Sequence, residues 1–329
     1  MRVALICSAH GFGHTTRQVA LAQALAEQGA APEIWTHAPA RVIHERVPDL
    51  PVVPWAPDVG IAQSDSVTED VSRTLALCAE RHSDAAVDRL AAALAGVDRV
   101  VVDVAPAALE AARRAGVPAL AVGNFDWGWI YHHYPELQAE AARMDAWQAP
   151  HVGLEIAPGP GLYGFAAVER YGLLGRPADP VRLSAAERVV LVSFGGFGLR
   201  QFEALLPRIP GVRWVLSPPM PRLDRPDVIY VEHTAFPSLV AGADAVLTKP
   251  GYSILVEAAL AGTPIAWIPR GFFPEARSLE AALRARGDAE VHGPDADGVG
   301  RALDELWSRP RPAPQVPDTA RLAARILAG

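Results

Sequence analysis

Short runs of β-branched and aliphatic residues alternate along this chain with longer stretches where alanine and leucine recur at helical spacing. That alternation predicts strands over residues 2–8, 32–36, 100–103 and 119–122. Between them it predicts helices over 15–28, closed by Gly29, and over 105–115, closed by Gly116. A long helical stretch is expected over 68–95. Residues 158–188 mix glycine, proline and charge and read as a hinge-like linker. The pattern then restarts, with strands at 189–193, 212–216, 228–231, 245–248 and 265–268. Helices are expected near 201–206, 253–261, 275–286, 298–307 and 319–327. Such an order predicts an α/β fold of two Rossmann-like domains, their parallel sheets facing across a cleft. Ligands in such sheets bind beyond the carboxyl ends of the strands. The domains are expected over 1–172 and 173–329, the last helix being able to pack back on the first domain.

Composition narrows the partners. At 329 residues and half apolar, the chain has material for two cores. A net charge of −7, with no basic stripe, excludes a nucleic-acid backbone as partner. The opening apolar run, Val3-Ala4-Leu5-Ile6, is too short for a signal core or a membrane span, so a cytoplasmic location is expected. Peripheral membrane contact stays open, and the sequence gives no oligomeric state. Cys7 and Cys78 are too few for a disulfide framework and lack metal-ligand spacing. Lys249 is the one lysine among thirty basic residues, the rest being arginine.

Four stretches carry candidate chemistry. Ser8-Ala9-His10-Gly11-Phe12-Gly13-His14-Thr15-Thr16-Arg17 joins the first strand to the first helix. It departs from a dinucleotide fingerprint, since Thr16 takes the third glycine position and no acid follows the second strand. It offers instead His10 and His14, either able to take a proton from a hydroxyl, although a histidine there also serves as a cap. Asp103 ends its strand and either orients an imidazole or caps the next helix. Asn124, Asp126, Trp127 and Tyr131 interleave polar groups with rings, as suits a sugar or aromatic acceptor; core packing accounts for some of the rings.

In the second half, Ser193, Gly195 and Gly196 form a glycine loop whose amides can cradle phosphate oxygens. The segment from Thr248 to Glu257 runs strand, glycine turn, helix. There Lys249, Gly251, Tyr252 and Ser253 frame a helix N-terminus suited to a diphosphate. Glu257, one turn in, is placed for a ribose diol, and Glu275 after the next strand for sugar hydroxyls.

The stretches at 8–17, 103–106, 124–131 and 249–257 together resemble the glycosyltransferase-like N-terminal domain of plant L-arabinokinases and its stand-alone bacterial relatives. More distantly the chain resembles MurG-type and UDP-glycosyltransferases. The resemblance implies a GT-B fold with the acceptor on the first domain and a nucleotide-sugar donor, a UDP-sugar by preference, on the second. It implies His14 (or neighbouring His10) as base, Asp103 as its partner and Glu257 as the ribose-binding acid. The residues after Ile268 lack the paired glutamines of MurG, which leaves the donor sugar open.

The reading from sequence is therefore an inverting, metal-independent glycosyl transfer from a small-molecule donor to a small-molecule acceptor. It requires no cofactor beyond the nucleotide-sugar co-substrate. A nucleotide-sugar epimerase of the same fold and a non-catalytic nucleotide-sugar-binding module remain as alternatives.

Overall fold

A computed structural model describes residues 1–9, 12–62, 69–194, 202–269, 273–293 and 295–329 of the chain. It divides into two compact units, Met1–Gly175 with Pro317–Gly329, and Arg176–Val316.

The first unit contains strands β1 (Arg2–Cys7), β2 (Ala31–Thr36), β3 (Val52–Pro54), β4 (Arg99–Asp103), β5 (Ala119–Gly123), β6 (Val152–Ile156) and β7 (Ala167–Tyr171). Its helices are α1 (Phe12–Glu27), α2 (Ala40–His44), α3 (Val71–Arg81), α4 (Asp84–Ala93), α5 (Pro106–Ala115), α6 (Trp127–Tyr131) and α7 (Gln138–Gln148). All pairings are parallel, in the order β3-β2-β1-β4-β5-β6-β7.

The second unit contains β8 (Arg188–Ser193), β9 (Val212–Leu216), β10 (Val228–Tyr230), β11 (Ala245–Thr248), β12 (Ile265–Trp267) and β13 (Ala289–Glu290). Helices α8 (Phe236–Gly242), α9 (Tyr252–Ala261), α10 (Ala276–Arg286) and α11 (Ala296–Trp307) belong to it. Its sheet is also parallel, ordered β10-β9-β8-β11-β12-β13. Helix α12 (Thr319–Ala328) returns to the first unit and packs on α1.

Both sheets are buried on two faces, which is why their strands read as continuous apolar runs. In β8, Val190 and Val192 enter a core with Trp214 and Leu303, while Val189 and Leu191 enter another with Leu255 and Trp267. Successive side chains point to opposite faces, so one strand serves two cores. In the first unit Ala4, Ile6, Val100 and Val102 pack under α4 and α5. Among the described residues no helix is long and apolar enough to cross a membrane.

The structure differs from the sequence reading in several elements. The stretch expected as one helix over 68–95 is two, because the Ser83 side chain accepts a hydrogen bond from Ala86 N and starts α4 afresh. Residues 63–68 lie outside the described residues. The linker expected over 158–188 contains β7, a strand of the first sheet. Its Glu169 and Arg170 disguised it, since charge is what an edge strand carries. The helix expected near 201–206 is a single 3₁₀ turn, Phe202–Leu205, with Gln201 outside the described residues.

Candidate active site

In the first sheet the chain winds outward in opposite directions from β1 and β4, which lie side by side with Cys7 opposite Asp103. Crossovers leave such a pair on opposite faces and open a crevice at its carboxyl end. Helix α1 begins right after β1, and His14, Arg17 and Gln18, three and four residues apart, share its inward face. All three converge on Asp103. His14 Nδ1 lies 2.9 Å from Asp103 Oδ1. Arg17 Nε donates to Oδ2 at 2.7 Å, and its Nη2 closes a bidentate fork on Oδ1. Gln18 Nε2 donates to Oδ2 at 2.9 Å. The third guanidinium nitrogen of Arg17 donates to Asn124 Oδ1 at 2.6 Å.

The network is dry: His14 is 6% exposed, Arg17 3% and Asp103 0%. Burial alone would raise the Asp103 carboxyl. The charges of Arg17 and His14, with the hydrogen bonds both make, override it and hold the group far below the ordinary carboxylate range. Asp103 is therefore an ionised acceptor. It is not the cap of α5, a position that Ala105 occupies with no side-chain hydrogen bond. Val104, next in sequence, has φ of +50°, a conformation that costs a β-branched residue on the order of 1–3 kcal/mol. Strain at that point lies directly beside the orienting carboxylate.

Asp58 was not singled out from sequence, yet it belongs to the same edge. It lies in the loop after β3, is buried, accepts Trp127 Nε1 at 3.0 Å and is hydrogen-bonded by Ser8. Desolvation pushes its carboxyl up, against the Ser8 hydrogen bond and the neighbouring His14 and His82. The signal in the sequence was Trp55-Ala56-Pro57-Asp58, an acid in a proline turn just past a strand too short to be noticed.

The four residues expected to touch the acceptor are all buried within the first unit. Asn124 anchors Arg17. Asp126 caps α6 through Trp129 N at 2.7 Å and accepts Tyr163 N at 2.8 Å, so its carboxylate joins α6 to the loop after β6. Trp127 spans from Asp58 to Phe125, and Tyr131 donates to Gly60 O at 2.6 Å. The surface rings of this region are Trp129 and Tyr163, stacked at 5.7 Å with Tyr163 61% exposed. Tyr163 stands alone in a glycine-rich loop, so no pattern pointed to it.

The second sheet repeats the arrangement. β8 and β11 are the neighbours with diverging connections, and Ser193 lies opposite Thr248. Thr248 Oγ1 donates to Ser193 O at 2.6 Å and ties the two strand ends together. Lys249 and Pro250 follow at once, then Gly251 as N-cap of α9 with no side-chain hydrogen bond to the helix. Conformation does not demand that glycine, whose φ is −155°, and among the described residues an added Cβ would meet nothing nearer than 3.7 Å. Tyr252 is buried, Lys249, Ser253 and Glu257 are partly buried, and Glu275 is buried directly before α10. His10, Gly195 and Gly196 lie outside the described residues.

Among the described residues one group has metal-ligand chemistry, Cys78, His82 and Glu140, with ligand atoms within 4.8 Å of one another. Burial pushes the Cys78 thiol up to about 11, so it is protonated, and its sulfur lies 3.5 Å from the Tyr131 oxygen. Glu140 is held below its usual range, first by the hydrogen bond from His82. Arg143 approaches the same carboxylate at 3.5 Å. Protons and a guanidinium already serve these groups, and they join α3 to α7.

No family model matches the chain. L-arabinokinase from Arabidopsis thaliana is 30% identical over 308 aligned residues, covering 83% of this chain and 29% of that protein. The chain thus spans under a third of the length of the curated relative it matches. Among solved structures, the kitacinnamycin glycotransferase superposes with a TM-score of 0.66 at 18% identity, covering 99% of this chain and 93% of that one. The spinosyn rhamnosyltransferase SpnG complexed with thymidine diphosphate gives 0.58 at 14% identity, covering 100% and 95%. At such identities the likeness is one of fold, and it extends over both units. The chain has the GT-B glycosyltransferase fold, an α/β architecture of two Rossmann-like units with parallel sheets.

Proposed function

We propose that the chain transfers a sugar from a nucleoside-diphosphate sugar to a hydroxyl acceptor, with inversion and without a metal. The observation that carries this reading is the buried His14–Asp103 pair at the carboxyl edge between β1 and β4. A carboxylate on Nδ1 fixes the ring and leaves Nε2 as the proton acceptor. In the proposed step His14 takes the acceptor's hydroxyl proton as that oxygen bonds to the anomeric carbon. The bond from that carbon to the diphosphate breaks, and its electron pair stays on the phosphate oxygen. Charge growing there is met by Lys249 and the N-terminus of α9, whose dipole and amides are fixed beforehand. Gly251 supports the same placement, since no described residue crowds that position, which leaves room for a phosphate to approach the backbone.

Glu257 would bind the ribose and Glu275 the sugar hydroxyls, with Ser193 beside the diphosphate. A UDP-sugar is the first donor to try; the neighbour that holds thymidine diphosphate makes a thymidine-linked sugar the second. Because Lys249 and the helix end carry the diphosphate charge, a chelator should leave turnover unchanged.

The test is donor consumption with UDP- and thymidine-linked sugars across a panel of phenolic and sugar acceptors, in wild type and His14→Ala. Loss of donor that needs an acceptor and collapses in His14→Ala supports the transferase; consumption without acceptor would point to an epimerase. A second reading has its own support, because the curated relative is over three times the length of the matched part and carries a kinase name. Within a larger protein this fold would serve as a sugar-nucleotide-binding module. Donor binding without consumption over the whole panel would select it.

A further inference from the structure

We propose that the stacked rings of Trp129 and Tyr163 form a platform on which a flat aryl acceptor lies. The inference rests on the transferase reading and names the class of acceptor that reading leaves open.

Tyr163 is 61% exposed, the one phenylalanine, tyrosine or tryptophan among the described residues that is exposed. An exposed tyrosine ordinarily turns freely with its hydroxyl in water. This one is fixed at three points. Its N–H donates to Asp126 Oδ2 at 2.8 Å, and its hydroxyl donates to Pro160 O at 2.7 Å. Its ring lies on Trp129 with centroids 5.7 Å and planes 19° apart. Trp129 is held in turn, its N–H donating to Asp126 Oδ1 at 2.7 Å and the His133 ring meeting it edge-on at 4.7 Å. One buried carboxylate therefore sets both rings. The loop is tied down as firmly. Gly161 N donates to Asn124 O at 3.1 Å and Leu162 N to Glu155 Oε2 at 3.1 Å, while a Cβ on Gly159 would collide with the Asn124 backbone. Ordering a side chain costs rotamer freedom, and a face left in solvent recovers none of it. A ligand ring laid on that face meets a surface already arranged.

The platform stands on the edge that holds the candidate base. β4, β5 and β6 are adjacent and parallel, so Asp103, Asn124 and the loop after β6 share one carboxyl edge. Asn124 joins the two regions, its side chain accepting from Arg17 and its carbonyl from Gly161. The chemistry around the rings selects the ligand. A sugar's hydroxyls leave water without loss only where they find partners. Here both Asp126 oxygens and the Tyr163 hydroxyl are engaged. His132 spends Nε2 on Asp145 at 2.8 Å and Nδ1 on Gln138 at 3.2 Å, and His133 Nδ1 lies 2.9 Å from Trp129 O. An aryl ring in offset stacking needs only the face.

The experiment uses the full chain without a donor. Affinities for 2-naphthol and methyl β-D-glucopyranoside are measured by ligand-observed NMR titration of wild type, Tyr163→Phe, Tyr163→Leu and Val181→Ala. Val181 is an exposed apolar residue of the second unit and serves as control. Tyr163→Leu keeps an apolar side chain without a π face and should bind 2-naphthol about tenfold more weakly. Tyr163→Phe keeps the face and, with Val181→Ala, should stay within roughly threefold of wild type. The glucoside should show no binding that depends on Tyr163. Undetectable 2-naphthol binding, equal affinity in Tyr163→Leu and wild type, or Tyr163-dependent binding of the glucoside overturns the proposal. Should Tyr163→Leu fail to fold, wild type decides: nuclear Overhauser contacts from 2-naphthol to the Tyr163 ring protons support the platform, and contacts elsewhere alone overturn it. Failure here leaves the transferase reading standing with another acceptor class, and an absence of turnover leaves the binding result intact.

Discussion

The two sheets share one strand order over six strands, β7 being extra in the first, and differ in what stands at their central edges. At the edge between β1 and β4 the first unit assembles a closed, dry network of side chains from α1, β4 and the loop after β5. At the edge between β8 and β11 the described residues of the second unit include the Thr248–Ser193 hydrogen bond, a helix end with Gly251 as N-cap, and one lysine. A base must be held in one tautomer and one orientation, which takes several buried partners. A leaving group that arrives and departs needs donors already aligned and room to approach them. Under the proposed transfer the first edge would act on a proton and the second would hold an anion.

The contrast can be broken most directly at the first edge. His14→Ala should lower donor consumption by about 10²–10⁴-fold, the usual contribution of a general base. The change should fall on kcat, with nucleoside-diphosphate binding untouched. Asp103→Ala leaves a buried guanidinium without its carboxylate and should cost about 3–5 kcal/mol of stability, measured by urea unfolding. A loss below about 1 kcal/mol would mean that the network is not as closed as its distances imply.

Substitutions at the second edge should act on binding and spare the fold. Lys249→Ala should weaken a nucleoside diphosphate by about 1.5–3 kcal/mol, the range for a charged hydrogen bond, with little change in Tm without ligand. Gly251→Ala should cost the free protein about 1 kcal/mol or less, since space is present and only the cap preference changes. Nucleotide-induced stabilisation should shrink in that variant; equal shifts in all three proteins would move the anion site elsewhere.

The smallest effect is one of sign. The folded-state pKa of Asp103 is below its unfolded value, so its contribution is complete above the unfolded range of about 3.9 and is lost as pH falls through the folded value. Asp58 has a raised folded-state pKa, so its contribution is present in acid and lost as pH rises through that value. Asp103→Asn should therefore cost stability near neutral pH and less in acid. Asp58→Asn should gain up to about 1 kcal/mol near neutral pH and nothing in acid, by unfolding at both ends.

Most of the fold was legible because central parallel strands are buried on both faces and so announce themselves as apolar runs. What escaped was β6, which lies between β5 and β7, and strands at the margins. β3 is three residues ending in Pro54, and β7 carries charge, both features that edge strands tolerate. His14 and Asp103 were legible because each stands at a strand end beside a glycine or proline turn. Arg17 was visible as a letter, yet its role was not, because one arginine among many gives no sign of which carboxylate it will meet 86 residues away. The aromatic stretch was harder to read for a related reason. Rings and polar groups alternate at binding surfaces and in cores alike, and only the fold places Trp127 and Tyr131 inside and Tyr163 outside.

Helix α12 has a consequence for synthesis. It completes the first unit through Leu322, Ala323 and Ile326 and through the ion pair of Arg325 with Glu169, yet it is translated after the whole of Arg176–Val316. At ribosomal speeds that delay is on the order of ten seconds. Throughout it the apolar stripe on α1 that α12 will cover stands bare on a nascent chain. The first unit is thus completed only after the whole of the second has been synthesised.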